Sequence, residues 1–465
     1  MRLVFGPWEP DKAEHLQQGL ETADNVYPSP TGYRPIPSFD AMTAALDEGF
    51  QGGAAFVASD GTVQLLAGTA TDLYRFTSGL AWDSILDTLT AGRWYFTQFN
   101  DYAIATYGGN PVEIDLLAGT AQALGGSPPV ANLCATVRDF VVLADDSRVT
   151  WSGFEDRAEW TAGTNQSGSQ TMLAGGTITG LTGGEYGLIF QRFRIVRMSY
   201  AGVPTIWQFD EISANVGCMT AGSLAQAGRL TFFLSHRGFM LTDGNDVRPI
   251  GAERVDRTFF AAYTHDDISS FMYAAVDPKN NIVSWIMPGK SWNYHWLLDQ
   301  WTTTTWDVRA AFTGFTAGLT LEDLDTPYPD MDEMEPSLDS PEFQGGVPQF
   351  LLVNASDEIG TASGDNLEAT FLLPNMELVP GREARISQVR PITDATNGIT
   401  IGLRQRARLG DTASEQTFSA LQASGDMDCR VSGRYLRPRV TIAFGEDWSY
   451  FQGLDLNMMA GGGRR

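Results

Sequence analysis

The sequence predicts an all-β protein: a β-propeller of six or seven blades, preceded by an extended N-terminal arm and followed by a C-terminal β-sandwich. Three observations predict it. Hairpin-like units recur at the spacing of a propeller blade, their strands are apolar on both faces, and the chain turns to Arg-rich strands after about residue 375.

Residues 1–50 read as an extended arm with a short helix. The stretch NVYPSPTGYRPIPSF (Asn25–Phe39) is locked by prolines and excluded from a helix. Only His15–Leu20 and Phe39–Asp47 hold a helical period.

Residues 51–320 carry the repeats. An apolar strand, a polar turn and a second strand begin at Val63 (VQLLAGTATDLYRF), Ala103 (AIATYGGNPVEIDL), Phe140 (FVVLADDSRVTWSG), Gly187 (GLIFQRFRIVRMSY), Leu230 (LTFFLSHRGFMLTD) and Met272 (MYAAVDPKNNIVSW). These starts lie 40, 37, 47, 43 and 42 residues apart, where a four-stranded blade takes about 40–45. Turn residues such as Asp145-Asp146-Ser147 and Arg237-Gly238 suit tight hairpins. Strands apolar on both faces fit sheets sandwiched between neighbouring sheets. A pair of β-sandwiches with similar hairpin spacing is the competing architecture.

The repeat breaks after Phe312. Residues 321–345 contain an acidic run, LEDLDTPYPDMDEMEPSLDSPE at 321–342, with nine carboxylates and no base, which reads as a solvated linker. Residues 346–375 hold a further β segment suited to a closing blade. Residues 376–465, with strands at Ala384–Val389, Ile399–Arg406, Tyr435–Phe444 and Gly453–Met459, read as an Arg-rich sandwich ending in a flexible GGGRR tail.

The composition excludes several classes. An aromatic content of 11% is incompatible with disorder. No run approaches the roughly 20 apolar residues of a membrane helix, and the first residues lack a signal-peptide core. Cys134, Cys218 and Cys429 are odd in number and widely spaced, so they read as free thiols in a reducing compartment. The net charge of −25 is the reverse of a general nucleic-acid binder's. It is also uneven: residues 381–465 carry 12 Arg against 9 carboxylates. The basic residues are 28 Arg and only 3 Lys, which suits planar multidentate contacts at an interface and equally a biased genome composition.

Catalytic chemistry is not legible. HExxH, GxSxG, GxxxxGK[ST] and GxGxxG do not occur, and the four histidines have no zinc-ligand spacing. His236 falls in a hairpin turn, and His265-Asp266-Asp267 reads as a polar loop between blades. Ser59-Asp60-Gly61-Thr62 faintly resembles the folding turn of sialidase-like propellers, without its following aromatic residue. The acidic run lacks the D-x-D-x-D-G order of a calcium loop. The expectation is a protein that is not an enzyme and takes no metal or cofactor. Ten tryptophans, Trp82, Trp94, Trp151, Trp160, Trp207, Trp285, Trp292, Trp296, Trp301 and Trp306, either fill blade interfaces or stack on sugars.

The arm, together with WYFTQFNDYAIATYGGNP (Trp94–Pro111) and VRDFVVLADDSRVTWSGFEDRAEW (Val137–Trp160), resembles tail proteins of short-tailed double-stranded DNA phages, in particular the tail nozzle or packaged-DNA stabilisation family. GGEYGLIFQRFRIVRMSYAG (Gly183–Gly202), FFLSHRGFMLTDG (Phe232–Gly244), VDPKNNIVSW (Val276–Trp285) and SGRYLRPRVTIAFGEDWSYFQGLDL (Ser432–Leu456) extend the likeness. The phrases are diffuse and cover most of the chain. The resemblance implies a structural virion protein in the phage tail, assembled in the host cytoplasm. It implies a homo-oligomeric ring, typically of six subunits, below the portal and adaptor, closed by a needle or plug and passed by double-stranded DNA without specific binding.

On that reading, carboxylates of residues 1–380 repel phosphates along the lumen, with Asp330, Asp332, Glu333 and Glu335 as candidate lumen or loop residues. Candidate contacts to neighbouring subunits or the adaptor are Tyr27, Tyr33 and Arg34 in the arm. In the C-terminal region they are Arg404, Arg406 and Arg408, which alternate along one strand, and the row Arg434, Arg437 and Arg439. A carbohydrate-binding propeller for host recognition and a baseplate or tail structural protein of a long-tailed phage are the alternatives.

Overall fold

A computed structural model describes residues 1–12, 19–77, 81–90, 92–315 and 348–460. The repeats are seven four-stranded antiparallel blades, six of them separate sheets and the sixth in chain order one end of a nine-stranded sheet. Their first strands are Gly52–Val57, Tyr95–Phe99, Leu133–Val137, Ile178–Thr182, Ala225–Ala227, Tyr273–Asp277 and Val308–Phe315. These follow one another in chain order around the axis, the fourth reaching the fifth through the short turn Ala221–Ser223, and the seventh returns to the first, closing a β-propeller. The central strands are buried along their whole length, as in Gly187–Gln191, Gly238–Thr242 and Ile282–Met287. Sheets covered on both faces leave no solvent side for polar alternation.

The repeat frame differs from the sequence reading at one place. The first five units begin on the second strand of a blade, whereas the unit from Met272 holds the first and second strands of blade six. The shift comes from two helices inserted between blades five and six: α1 (Asp256–Ala262) and α2 (His265–Phe271). His265-Asp266-Asp267 is therefore the first turn of α2 and not a loop. Thr264 and Asp267 form a reciprocal capping box there. Asp11 caps α1 from far along the chain, accepting the Arg257 and Thr258 amides at 2.7 and 2.8 Å.

Blade seven corrects the arm and the closing blade together. Its strands are Val308–Phe315, Pro348–Asn354, Ile359–Asn366 and, outermost, Pro37–Ala41 from the N-terminal region. The expected helix over Phe39–Asp47 is absent because Phe39 to Ala41 complete this sheet and the following residues are irregular. Pro37 sits at the start of an edge strand, where its missing N–H costs no ladder bond. The His15–Leu20 window lies mostly outside the described residues.

The sandwich packs two sheets. One contains Val26–Ser29, Gly32–Pro35, Phe451–Ala460, Ala384–Thr393 and Met427–Gly433, with Arg2–Val4 beside Phe451–Ala460. The other contains Ala369–Leu372, Tyr435–Ile442, Ile399–Arg406 and Ser414–Phe418. This second sheet is continuous with blade six. Thr22–Asp24 pairs parallel to Gln300–Thr304 on one side and antiparallel to Ala369–Leu372 on the other. One apolar core follows, running from Phe239, Trp285 and Trp301 through Phe371 to Ile401 and Leu456. The described N-terminal strands are thus structural mortar within their own chain.

Candidate functional site

Four of the arginines singled out from sequence meet on the outward face of the sandwich sheet that continues from blade six. Alternation along Tyr435–Ile442 turns Leu436, Pro438 and Val440 inward and leaves Tyr435, Arg437 and Arg439 outward. Ile401 and Leu403 on the neighbouring strand are buried, so Arg404 and Arg406 point out. The register sets Arg404 directly opposite Arg437, Gly402 opposite Arg439 and Arg406 opposite Tyr435.

Like charges placed directly across a ladder destabilise it unless acids intervene. Two acids do. Glu415, opposite Arg404, accepts its Nε at 2.7 Å, and Glu21 pairs with Arg437. The Arg437 Nε also donates to the Leu373 carbonyl at 3.2 Å. Arg406 donates to the Leu409 carbonyl at 2.7 Å. Arg439 has no ion-pair or hydrogen-bond partner for its side chain among the described residues. The result is a half-exposed guanidinium cluster in which acids neutralise only part of the charge.

The other candidates fall elsewhere. Arg408 lies beyond the end of its strand at Arg406, in a turn where its own amide donates to Asp411 at 3.0 Å. The alternation therefore stops one arginine short. Arg434 precedes Tyr435–Ile442 and is bound to Glu377 at 2.7 Å, which holds that carboxyl below its usual range.

The arm tyrosines are corrected outright. Tyr27 is 3% exposed and Tyr33 1%. Tyr33 donates to the Gly6 carbonyl at 2.7 Å and packs on Phe371, so neither ring is free to meet a neighbouring subunit. Their burial follows from the hairpin Val26–Pro35 forming the edge of the sandwich sheet, packed against blade six, and not a projecting arm: Tyr33 lies in the core shared with the sandwich and Tyr27 in the core between blades six and seven. Arg34 lies over the Tyr27 ring at 5.3 Å and donates to Asn280 at 2.8 Å, tying the hairpin to blade six. Asp330, Asp332, Glu333 and Glu335 lie outside the described residues.

Eight of the ten tryptophans singled out from sequence are buried, Trp285 and Trp301 almost completely; only Trp82 and Trp296 are half-buried. Trp285 and Trp301 illustrate how they fill blade interfaces: both belong to blade six, and both pack against Phe239 of blade five, at 4.6 and 4.9 Å between ring centres. Asp60 of the Ser59–Thr62 segment accepts the Thr62 amide at 2.9 Å in the turn between the first two strands of blade one. His236 occupies the turn between Leu230–Ser235 and Gly238–Thr242, where burial and the adjacent Arg237 lower its pKa. All three cysteines are buried thiols, and burial pushes Cys134 up to about 12 and Cys218 and Cys429 up to about 11.

No protein-family model and no curated sequence matches the chain. Among solved structures it is similar to the extracellular domain of a putative one-component system, BT4673, from B. thetaiotaomicron, at 10% identity and a TM-score of 0.43. That match covers 83% of this chain and 48% of the other, so the chain spans about half the length of that domain. It is also similar to virginiamycin B lyase from Staphylococcus aureus, at 12% identity and a TM-score of 0.35, over 57% of this chain and 92% of that one. AztD from Citrobacter koseri matches at 12% identity and a TM-score of 0.34, over 61% and 94%.

Proposed function

We propose that the chain is a structural subunit of a phage tail, forming a ring below the portal and adaptor that extends the DNA channel and helps to retain and then release the genome. The observation that carries this reading is the arginine face of Arg404, Arg406, Arg437 and Arg439, carried by a protein with a net charge of −25. A basic face and an acidic remainder on one chain are complementary between copies. Contacts of that head-to-tail kind close into rings when the rotation between copies closes. The same charge division keeps affinity for DNA low, since phosphates are repelled by carboxylates and by the chain's overall field.

The propeller's own axis is not the conduit on this reading. Its cavity, about 420 Å³, has the size of a small-molecule site and admits no duplex. The DNA path therefore runs between subunits, along a lumen lined mainly by acidic side chains. Adaptor-side tail proteins and a needle or plug are the expected partners.

The test is analytical ultracentrifugation of the chain and of the Arg439→Glu variant at low and physiological ionic strength. Arg439 lies on the surface, so the variant leaves the core intact. The wild-type chain sediments as a closed oligomer at low salt, and the variant shifts to the monomer. An oligomer of equal stability in both removes the arginine face from the assembly.

A further inference from the structure

The axial cavity is bounded by residues from the first strands of all seven blades or from the segments leading into them. Its charge is the opposite of the rest of the molecule. The chain carries 56 carboxylates, yet among the described residues none lines this cavity, and the ionised group that does is Arg93.

Arg93 is held firmly without being neutralised. It donates through Nη2 to the Met272 carbonyl at 2.6 Å and lies over the Tyr273 ring at 3.7 Å. Tyr95 and Tyr273 lie against the guanidinium. Among the described residues it has no acidic partner within ion-pair distance. Gly222 lies beside it, and a Cβ at that position would overlap Nη1, so the glycine leaves the space that the guanidinium occupies. With one N–H given to the Met272 carbonyl and others shared with the Tyr95 and Tyr273 hydroxyl oxygens, the five-donor fork still has N–H groups for a ligand. The remaining walls combine the aromatic Trp94, Phe96 and Phe312 with the polar Thr97, Thr136, Thr182 and Gln226.

We propose that this cavity is a binding site for a small organic carboxylate with a flat apolar body. Arg93 takes the carboxylate through its fork, the Tyr95 and Tyr273 hydroxyls donate to it, and the aromatic walls cover the body of the ligand. The alternative role for Arg93, a plug that only ties blade two to blade six across the axis, needs no ligand and makes no distinction between charged and neutral probes.

Isothermal titration of the intact chain with benzoate, benzamide and inorganic phosphate separates these readings. The expected result is saturable benzoate binding, with benzamide and phosphate at least about tenfold weaker, since hydrogen bonds to a charged group are worth more than neutral ones. Arg93→Gln removes the preference for benzoate over benzamide. Gly222→Ala, which displaces the guanidinium, weakens benzoate as well. The benzoate–benzamide comparison on the unaltered chain decides the matter even where a variant does not fold. Equal binding of the two, tighter binding of phosphate, or binding of none of the probes overturns the proposal, as does benzoate preference retained in a folded Arg93→Gln chain.

Discussion

Replacing Asp256 by Asn changes how the stability of this protein depends on pH. Asp256 opens α1, and its Oδ1 accepts the Phe239 amide at 3.0 Å. Its Oδ2 is buried with no hydrogen-bond partner among the described residues. Gly238 and Gly251 press against the carboxyl, where any Cβ would overlap it. Burial raises its pKa from an ordinary 3.8 to about 6, with the Asp11 charge adding to the rise and the Phe239 hydrogen bond opposing it.

The folded state thus holds a proton that the unfolded chain releases near pH 4. Stability falls as pH climbs from about 4 to about 6 and stays lowered above that window. At about 1.36 kcal/mol per pH unit the full displacement corresponds to 3 kcal/mol, which residual solvent screening reduces to about 2 kcal/mol. Asn keeps the acceptor for Phe239 and has no proton to lose. Any cost of burying its amide is the same at every pH. Urea denaturation at a series of pH values from 4 to 8 therefore shows the variant gaining about 2 kcal/mol on the wild type across the range. Parallel stability curves would refute the reasoning.

Further predictions concern the closure, the core, the thiols and DNA. Gly360→Ala places a Cβ against the Asp40 carbonyl in the sheet that the N-terminal strand completes; it costs about 1–3 kcal/mol and exposes residues 37–41 to hydrogen exchange. Trp301→Ala empties a buried site that also holds a hydrogen bond to the Ile250 carbonyl. It costs about 3–5 kcal/mol, and calorimetry shows blade six and the sandwich melting together because they share one core. The cysteines react with Ellman's reagent only at the rate of unfolding, since all three are buried; a thiol that reacts at once in native buffer contradicts this. Mobility shifts at physiological salt show little retention of double-stranded DNA, and micromolar binding would count against a low-friction conduit.

The propeller was legible because each blade repeats the same chemistry: an apolar run, a turn rich in Asp, Asn or Gly, and a second apolar run. The sandwich strands were legible for a similar reason, since Ile399–Arg406 and Tyr435–Ile442 alternate cleanly between core and surface. Contacts between distant parts of the chain were not. Nothing local in Pro37–Ala41 announces that its ladder partner is Ile359–Asn366, more than 300 residues away. The helices were hidden by their length: seven residues each give fewer than two turns, too few for an i, i+3, i+4, i+7 pattern to show, and only the Thr264–Asp267 capping pair marks a start.

The candidate surface was half legible. Period-two spacing placed Arg404 with Arg406 and Arg437 with Arg439, and register then joined the two pairs. Tyr27 and Tyr33 looked like contact residues because prolines surround them, yet prolines are equally at home in a hairpin that packs inside the subunit. Arg93 was passed over because a lone arginine ahead of a strand carries no pattern. Its position on the axis arises only when seven strands converge.

Native mass spectrometry of the purified chain across a salt series tests the central claim most directly. The account predicts a single closed oligomer at low ionic strength that gives way to free subunits as salt screens the arginine face from acidic neighbours. A chain that stays monomeric at every concentration and ionic strength would contradict it.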